Sequence, residues 1–270
     1  MSQIYNSFCI TKTAATVLNA MGIEKAPDMH DANPVITARM NRALGGAKAD
    51  RALLFNPDAV ALWLYQKYTH LFEKAVEASD MAIPLYSVMP SVTPVCFASM
   101  YSGLLPEGHG IRKYEKPVLQ VKTMFDCLLE AGKKVAICCT DGDSISRIFL
   151  EREIDYFFYK TVDEVNVKAR ELMEKDEHDV IVIYNGNFDY TMHKNGPEAE
   201  ISLAQIKNNS ETYLDYVHRI NTQWKHHNVF YGFMPDHGCH EIDGDCGSHG
   251  LDMPEDMNVI HFYGFHKAEA

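Results

Sequence analysis

The chain has 270 residues, a formal net charge of −12, and 46% hydrophobic against 23% charged residues. Area scaling gives a folded surface of roughly 12,000 Å² against roughly 44,000 Å² for the extended chain, enough burial to fold without disulfides or metal. The composition argues against a disordered or fibrous chain, and an acidic chain with no Lys/Arg block longer than two argues against a nucleic-acid polymer as partner.

The N-terminal stretch MSQIYNSFCITKTAATVLNAMG has no basic region feeding an unbroken apolar run, so no signal peptide is expected. Thr11–Met21 reads as a helix, and Lys25–Asp50, with two prolines and two glycines, as a wandering connection. Arg51–Asn56 reads as a strand and Asp58 to Ala78 as a helix. The next helix starts near Pro94, with Thr93 as its N-cap, and ends by Ser102. A helix at Phe125–Ala131 leads through Gly132 into a strand at Lys134–Cys138. Asp163–Lys175 has helical spacing, Asp179–Tyr184 is a strand, Glu200–Trp224 is a long helix, and Asn228–Phe233 and Asn258–Tyr263 are strands. Apolar strands alternating with helices predict an α/β chain, a three-layer α/β/α sandwich around a mostly parallel sheet. We expect one catalytic domain over residues 1–270, with residues 1–50 packing on its core. No apolar run reaches the roughly 18–20 residues of a membrane span. The odd count of seven cysteines, with 138 and 139 adjacent, suits a reducing cytoplasm better than a secreted disulfide framework.

In open α/β sheets the site lies beyond the carboxyl ends of the strands. Asp58, Asp189 and Asp236 each fall just past a predicted strand, although an aspartate in that place is often only a helix cap. Asp189 and His193 are four residues apart, which puts carboxylate and imidazole on one helical face. Asp236 is followed by His237, and Gly247-Ser-His-Gly250 offers His249 between glycines. Three carboxylates and three imidazoles, together with the Thr93 hydroxyl, form a set able to hold two divalent ions. Zn²⁺ suits such mixed ligation, with Mn²⁺ or Fe²⁺ as alternatives. A threonine hydroxyl is a poor nucleophile until a metal or base activates it. Two ions roughly 3.5–4 Å apart would do so and would clamp an in-line displacement at phosphorus.

Four blocks then resemble the alkaline phosphatase superfamily, and most closely its type I phosphodiesterase/nucleotide pyrophosphatase branch: FNPDA at 55–59, PSVTPVCFASMYSGLLPEGHGI at 90–111, NFDYTMHKNGP at 187–197, and PDHG…GSHG at 235–250. The resemblance implies that Thr93 is the covalent nucleophile and that His109 is structural. It implies one metal held by Asp189, His193 and His249 and a second held by Asp58, Asp236 and His237, with Thr93 bridging toward the substrate. The implied chemistry is hydrolysis of a small-molecule phosphodiester or pyrophosphate bond through a phospho-threonine. The chain departs from that pattern at Cys96, where such relatives often carry an asparagine that steadies a phosphoryl oxygen, so Cys96 becomes a candidate substrate contact. Its length also leaves little room for a cap domain. The segment Ala14–Pro27 is similar to one that follows the last metal histidine in the family, which implies rearranged ends with the N-terminal helix beside the strand at 258–263.

Two rivals stay open on the same residues. A phosphomonoesterase or phosphonate hydrolase would use the same site, and a catalytically silent metal-binding or regulatory protein would keep the ligands without turnover. A sulfatase is disfavoured because Thr93 is followed by proline and lacks the Cys-x-Pro-x-Arg-like context. Cys239 and Cys246 are expected to be bystanders, Asp141-Gly-Asp143 a turn with a helix cap at Asp143 or Ser144, and Trp63 and Tyr65 part of the core.

Overall fold

Residues Ala52 to Pro57 are all buried, which a strand achieves only where its sheet is covered on both faces. In the computed structural model, which describes residues 5–269, that strand lies at the centre of a seven-stranded sheet. Residues 1–4, part of the stretch tested for a signal peptide, lie outside the described residues.

The chain enters through α1 (Thr13–Ala20) and α2 (Pro34–Ala43), then runs through β1 (Arg51–Pro57), α3 (Leu62–Lys67), α4 (Glu73–Glu77) and β2 (Met81–Tyr86). It continues with α5 (Thr93–Ser102), α6 (Pro106–His109), α7 (Met124–Glu130), β3 (Val135–Thr140), α8 (Ser144–Ile148), β4 (Asp155–Tyr159) and α9 (Val162–Lys175). Then come β5 (Val180–Asn185), α10 (Asn187–Asn195), α11 (Glu200–Gln223), β6 (Val229–Phe233), the hairpin β7 (His240–Ile242) and β8 (Cys246–Ser248), α12 (Pro254–Met257) and β9 (Asn258–His266). The strand order is β2-β9-β6-β1-β5-β3-β4. Pairings of β1 with β5 and β6, and of β3 with β4 and β5, are parallel, while β9 runs against both β6 and β2.

Alternate residues of β1 feed two cores. Ala52 and Leu54 join α1, α5, α7 and α8 on one face, whereas Leu53 and Phe55 join α3, α9, α10 and α11 on the other. This is a three-layer α/β/α sandwich with a mostly parallel sheet. Among the described residues the only second sheet is the β7–β8 hairpin, and no helix is long and apolar enough to cross a membrane.

Several elements differ from expectation, each for a physical reason. Lys25–Asp50 contains α2, because Pro34 occupies a first-turn position and Asn33 Oδ1 accepts from the Val35 and Ile36 N–H groups. The helix expected from Asp58 to Ala78 is broken at Tyr68 (φ −121°) into α3, a 3₁₀ turn and α4. The N-cap of α5 is Val92, so Thr93 is its first helical residue and its hydroxyl is not spent on a cap bond. Strands β2 and β4 were not expected, since Pro84 interrupts one and the other is a half-exposed edge. Helix α1 shares its core with Tyr263 and Phe265 of β9, and Asn6 Nδ2 donates to Asn258 Oδ1 at 2.7 Å. The segment around Asn6 thus lies beside the start of β9.

The β6–β9 pairing sets Gly264 opposite Tyr231, and a Cβ added at Gly264 would run into the Tyr231 ring. Gly264→Ala is therefore expected to lower stability by about 2 kcal/mol, the usual cost of overpacking. A urea melt showing less than about 0.5 kcal/mol would mean that the ring swings aside freely.

Candidate active site and metal centre

Because β1, β5 and β6 run parallel, their carboxyl ends lie on one edge of the sheet, and each releases an acid there. Asp58 follows β1, Asp189 sits in the first turn of α10 after β5, and Asp236 follows β6. Thr93 arrives from the loop after β2, at the start of α5.

These residues gather into two adjacent groups. Ligand-type atoms of Asp58, Asp236 and His237 lie within 4.8 Å of one another, and so do those of Asp189, His193 and His249. The first group is fully buried and the second half-open. The His237 and His249 rings stack with centroids 4.1 Å apart, which places the groups side by side. Thr93 Oγ1 stands 3.4 Å from Asp58 Oδ2 and 3.2 Å from His237 Nε2. This is the grouping that the sequence resemblance implied.

Three features test whether the groups fit cations. Asp58 Oδ1, Asp189 Oδ1 and Asp236 Oδ2 are buried without a hydrogen bond, although such oxygens normally have one, and each faces an imidazole Nε2 of its group at 3.3–3.4 Å. Each imidazole has its Nδ1 2.9 Å from a backbone carbonyl: His193 from Gly247, His237 from Gly238, and His249 from Ser91. A ring donating from Nδ1 leaves its Nε2 lone pair free for a ligand, the usual support behind a metal-bound histidine. Finally, His193 Nε2 and His249 Nε2 face each other at 3.1 Å, and two such lone pairs repel unless a cation stands against them. The residues fit.

The electrostatics agree. Burial, and after it the charge of Asp189, pushes the Asp58 carboxyl up to about 7. Asp236 is raised well above the carboxylate range by burial and then by Asp58. Burial also opposes the charge on Asp189, but the imidazoles of His193 and His249 outweigh it and hold this carboxylate low. His193 is raised, first by the Asp189 carboxylate that faces it at 3.3 Å. His237, fully buried, is pushed well below its ordinary value. So much crowded negative charge calls for a positive partner.

Sequence reasoning missed Tyr184. Its hydroxyl donates to Asp58 Oδ2, the oxygen that also receives Thr93, which leaves Oδ1 bare. A position near the carboxyl end of β5 was the available signal. The cleft that Thr93 lines has a volume of about 610 Å³, and its lining includes Tyr114, Lys116, Asp143 and Lys160, which were also not singled out as site residues. Lys116 Nζ donates to the Gly142 carbonyl at 2.8 Å.

Cys96 is a correction. It does not line this cleft: its thiol is fully buried, 3.1 Å from Ser87 Oγ, on the core side of α5. Having no exposed face, it offers nothing to a substrate. His109 braces α6 against α5 through Ser99 Oγ at 2.9 Å. Asp143 is the N-cap residue of α8 by position, but its carboxylate turns to Thr140 instead. Trp63 donates to the Cys239 carbonyl, and Tyr65 packs edge-on against Phe72 and Phe262. Neither cysteine of the Cys239/Cys246 pair joins a ligand group among the described residues.

No model of a protein family and no curated protein matches the chain. Solved structures do. Human ectonucleotide pyrophosphatase/phosphodiesterase 5 superposes with a TM-score of 0.54 at 16% identity, over 72% of this chain and 58% of that one. A murine form of the same protein, inactivated by a threonine-to-alanine replacement and bound to AMP, gives 0.54 at 15% identity, over 72% and 59%. A second structure of the murine protein gives 0.53 at 16% identity, over 72% and 58%. The chain thus spans under two thirds of the length of these neighbours. The likeness establishes the fold, which is of the alkaline-phosphatase kind.

Proposed function

We propose that this chain is a member of the alkaline phosphatase superfamily that hydrolyses a phosphodiester or pyrophosphate bond of a small molecule, as a single catalytic domain with Thr93 as nucleophile. The observation that carries this reading is the Thr93 hydroxyl standing against Asp58 and His237 of one ligand group, with a second group beside it and a buried carboxylate oxygen without a hydrogen bond in each. Asp58, Asp236 and His237 would hold one divalent ion, and Asp189, His193 and His249 the other. Zn²⁺ is our assignment from the mixed carboxylate–imidazole donors. Bound there, the ions would supply Lewis-acid charge for a phosphoryl group and for a threonine alkoxide.

The chain's own residues do the rest. Pro94 fixes the start of α5, and the positive end of that helix dipole favours an anion beside Thr93. Thr93 Oγ1 donates toward Asp58 Oδ2, so that oxygen is the first to receive its proton as Oγ1 attacks phosphorus. The bond from phosphorus to the leaving oxygen breaks, and the leaving group departs with the electron pair. Tyr184 holds Asp58 in place throughout. Water then hydrolyses the phospho-threonine, restoring the hydroxyl and freeing the phosphate product. A neighbour's complex with AMP is in keeping with a phosphate-ester ligand. We place the protein in the cytoplasm, a placement supported by seven cysteines that all stand as free thiols.

The test is hydrolysis of bis-p-nitrophenyl phosphate beside p-nitrophenyl phosphate by protein stripped of metal and reloaded with Zn²⁺ or Mn²⁺. Metal-dependent nitrophenol release supports the proposal, and the ratio of the two rates separates a diesterase from a monoesterase. No release with either ion, on protein that binds two ions, would favour the silent binding protein. Lys116→Ala is expected to raise KM roughly fivefold with kcat little changed, because the amine lines the cleft and belongs to neither ligand group. An unchanged KM for a substrate whose leaving group is anionic would remove Lys116 from substrate contact.

A further inference from the structure

The segments carrying His237 and His249 lie on either side of the β7–β8 hairpin, yet one buried carboxylate holds both. Asp256, in α12, is fully buried. Its Oδ2 accepts from the Leu251 N–H at 2.8 Å, two residues past His249. Its Oδ1 lies 2.7 Å from His240 Nδ1, three residues past His237. Its backbone carbonyl accepts from the Gly238 N–H at 2.7 Å. The contact has no slack, since a Cβ at Gly238 would run into the Glu255 carbonyl. Asp256 thus touches the residues next to both histidines and belongs to neither ligand group.

From this geometry we infer that Asp256, through His240 and Leu251, is a positioning residue that sets the spacing of His237 and His249 and so holds the two ligand groups in register. The inference rests on the metal-centre reading above. A carboxylate suits the task because it accepts from both sides at once. An asparagine can accept on one side only, and accepting from the Leu251 N–H it turns an N–H toward His240 Nδ1, which forces that ring to the other tautomer. An alanine would leave a buried N–H without a partner. The link through His240 bears on the Asp58–Asp236–His237 group alone, whereas the link through Leu251 bears on the group containing His249. A brace that served only the stability of α12 would not divide in this way.

The test is zinc titration of the full metal-free chain in competition with a chromophoric chelator, with thermal melts of each protein run in parallel. Wild type is expected to bind two zinc ions. Asp256→Asn is expected to weaken both binding steps about tenfold, the lower end for residues that support metal ligands. His240→Ala should weaken only the step that Asp236→Asn also removes. His240 is partly exposed and water can take its place, so this variant carries the test should Asp256→Asn fail to fold. Wild-type zinc affinity in both variants, with or without a lowered melting temperature, overturns the inference while leaving the metal centre standing. A wild-type chain that binds no zinc overturns the metal-centre reading and this inference together.

Discussion

Thr93→Ala is expected to lower kcat of the metal-loaded protein by on the order of 10⁴-fold or more, the scale seen when a covalent nucleophile is removed. The same variant should bind two zinc ions and melt near the wild-type temperature. Thr93 contributes no cap bond to α5, whose start is set by Val92 and Pro94, so alanine leaves the helix intact. Its hydroxyl reaches Asp58 and His237 only at 3.4 and 3.2 Å, and Tyr184 and the Gly238 carbonyl still hold those two side chains when it is lost. Thr93→Ser keeps an oxygen in the same place and should retain measurable turnover. Full turnover in Thr93→Ala, measured as nitrophenol release, would sink the nucleophile assignment, and loss of zinc in that variant would move the hydroxyl's role from attack to ligation.

The central sheet and the gathering of the acids were legible in the sequence because both follow from short-range rules. A strand buried on both faces shows as an unbroken apolar run, as in DVIVIY, and parallel strands must bring their carboxyl ends to one edge. Once β1, β5 and β6 were read, Asp58, Asp189 and Asp236 had to share one edge of the sheet, and the strand order β6-β1-β5 makes them neighbours. What fixes their chemistry was not legible. The imidazole tautomers depend on the carbonyls of Gly247, Gly238 and Ser91, and any residue type can supply a carbonyl. The bare oxygens of the three aspartates are a property of packing. Edge elements were lost for a similar reason: β4 is only half covered, so its pattern DYFFY has no clean period, and the β7–β8 hairpin is mostly polar. Asp256 was silent because its partners are a backbone N–H and a histidine that ligates nothing.

Zinc is expected to raise the melting temperature of the chain, and the rise is expected to grow with pH. In the metal-free fold Asp58 is pushed up to about 7 by burial and then by Asp189, and Asp236 well above its ordinary value by burial and then by Asp58. A carboxyl raised in this way contributes stability that is fully present below its unfolded value near 4 and is lost as pH climbs through about 7. The metal-free fold thus gives up that stability over the range in which zinc binding grows stronger, since each proton displaced by the ion makes affinity rise up to tenfold per pH unit. His109 and His261 are both pushed down to about 4 by burial and destabilise the fold as pH falls from about 6.5 toward 4. They do so equally with and without zinc, and therefore cancel in the difference. At free zinc 100-fold above Kd each site adds about 2.7 kcal/mol, so two sites should raise the midpoint by roughly 10 °C at pH 8. Near pH 5.5 the loaded and stripped proteins should melt almost together. Melts at both pH values, with and without a chelator, decide the matter: a zinc effect that is absent, or equal at the two pH values, would mean that the buried carboxylates are not what the ion binds.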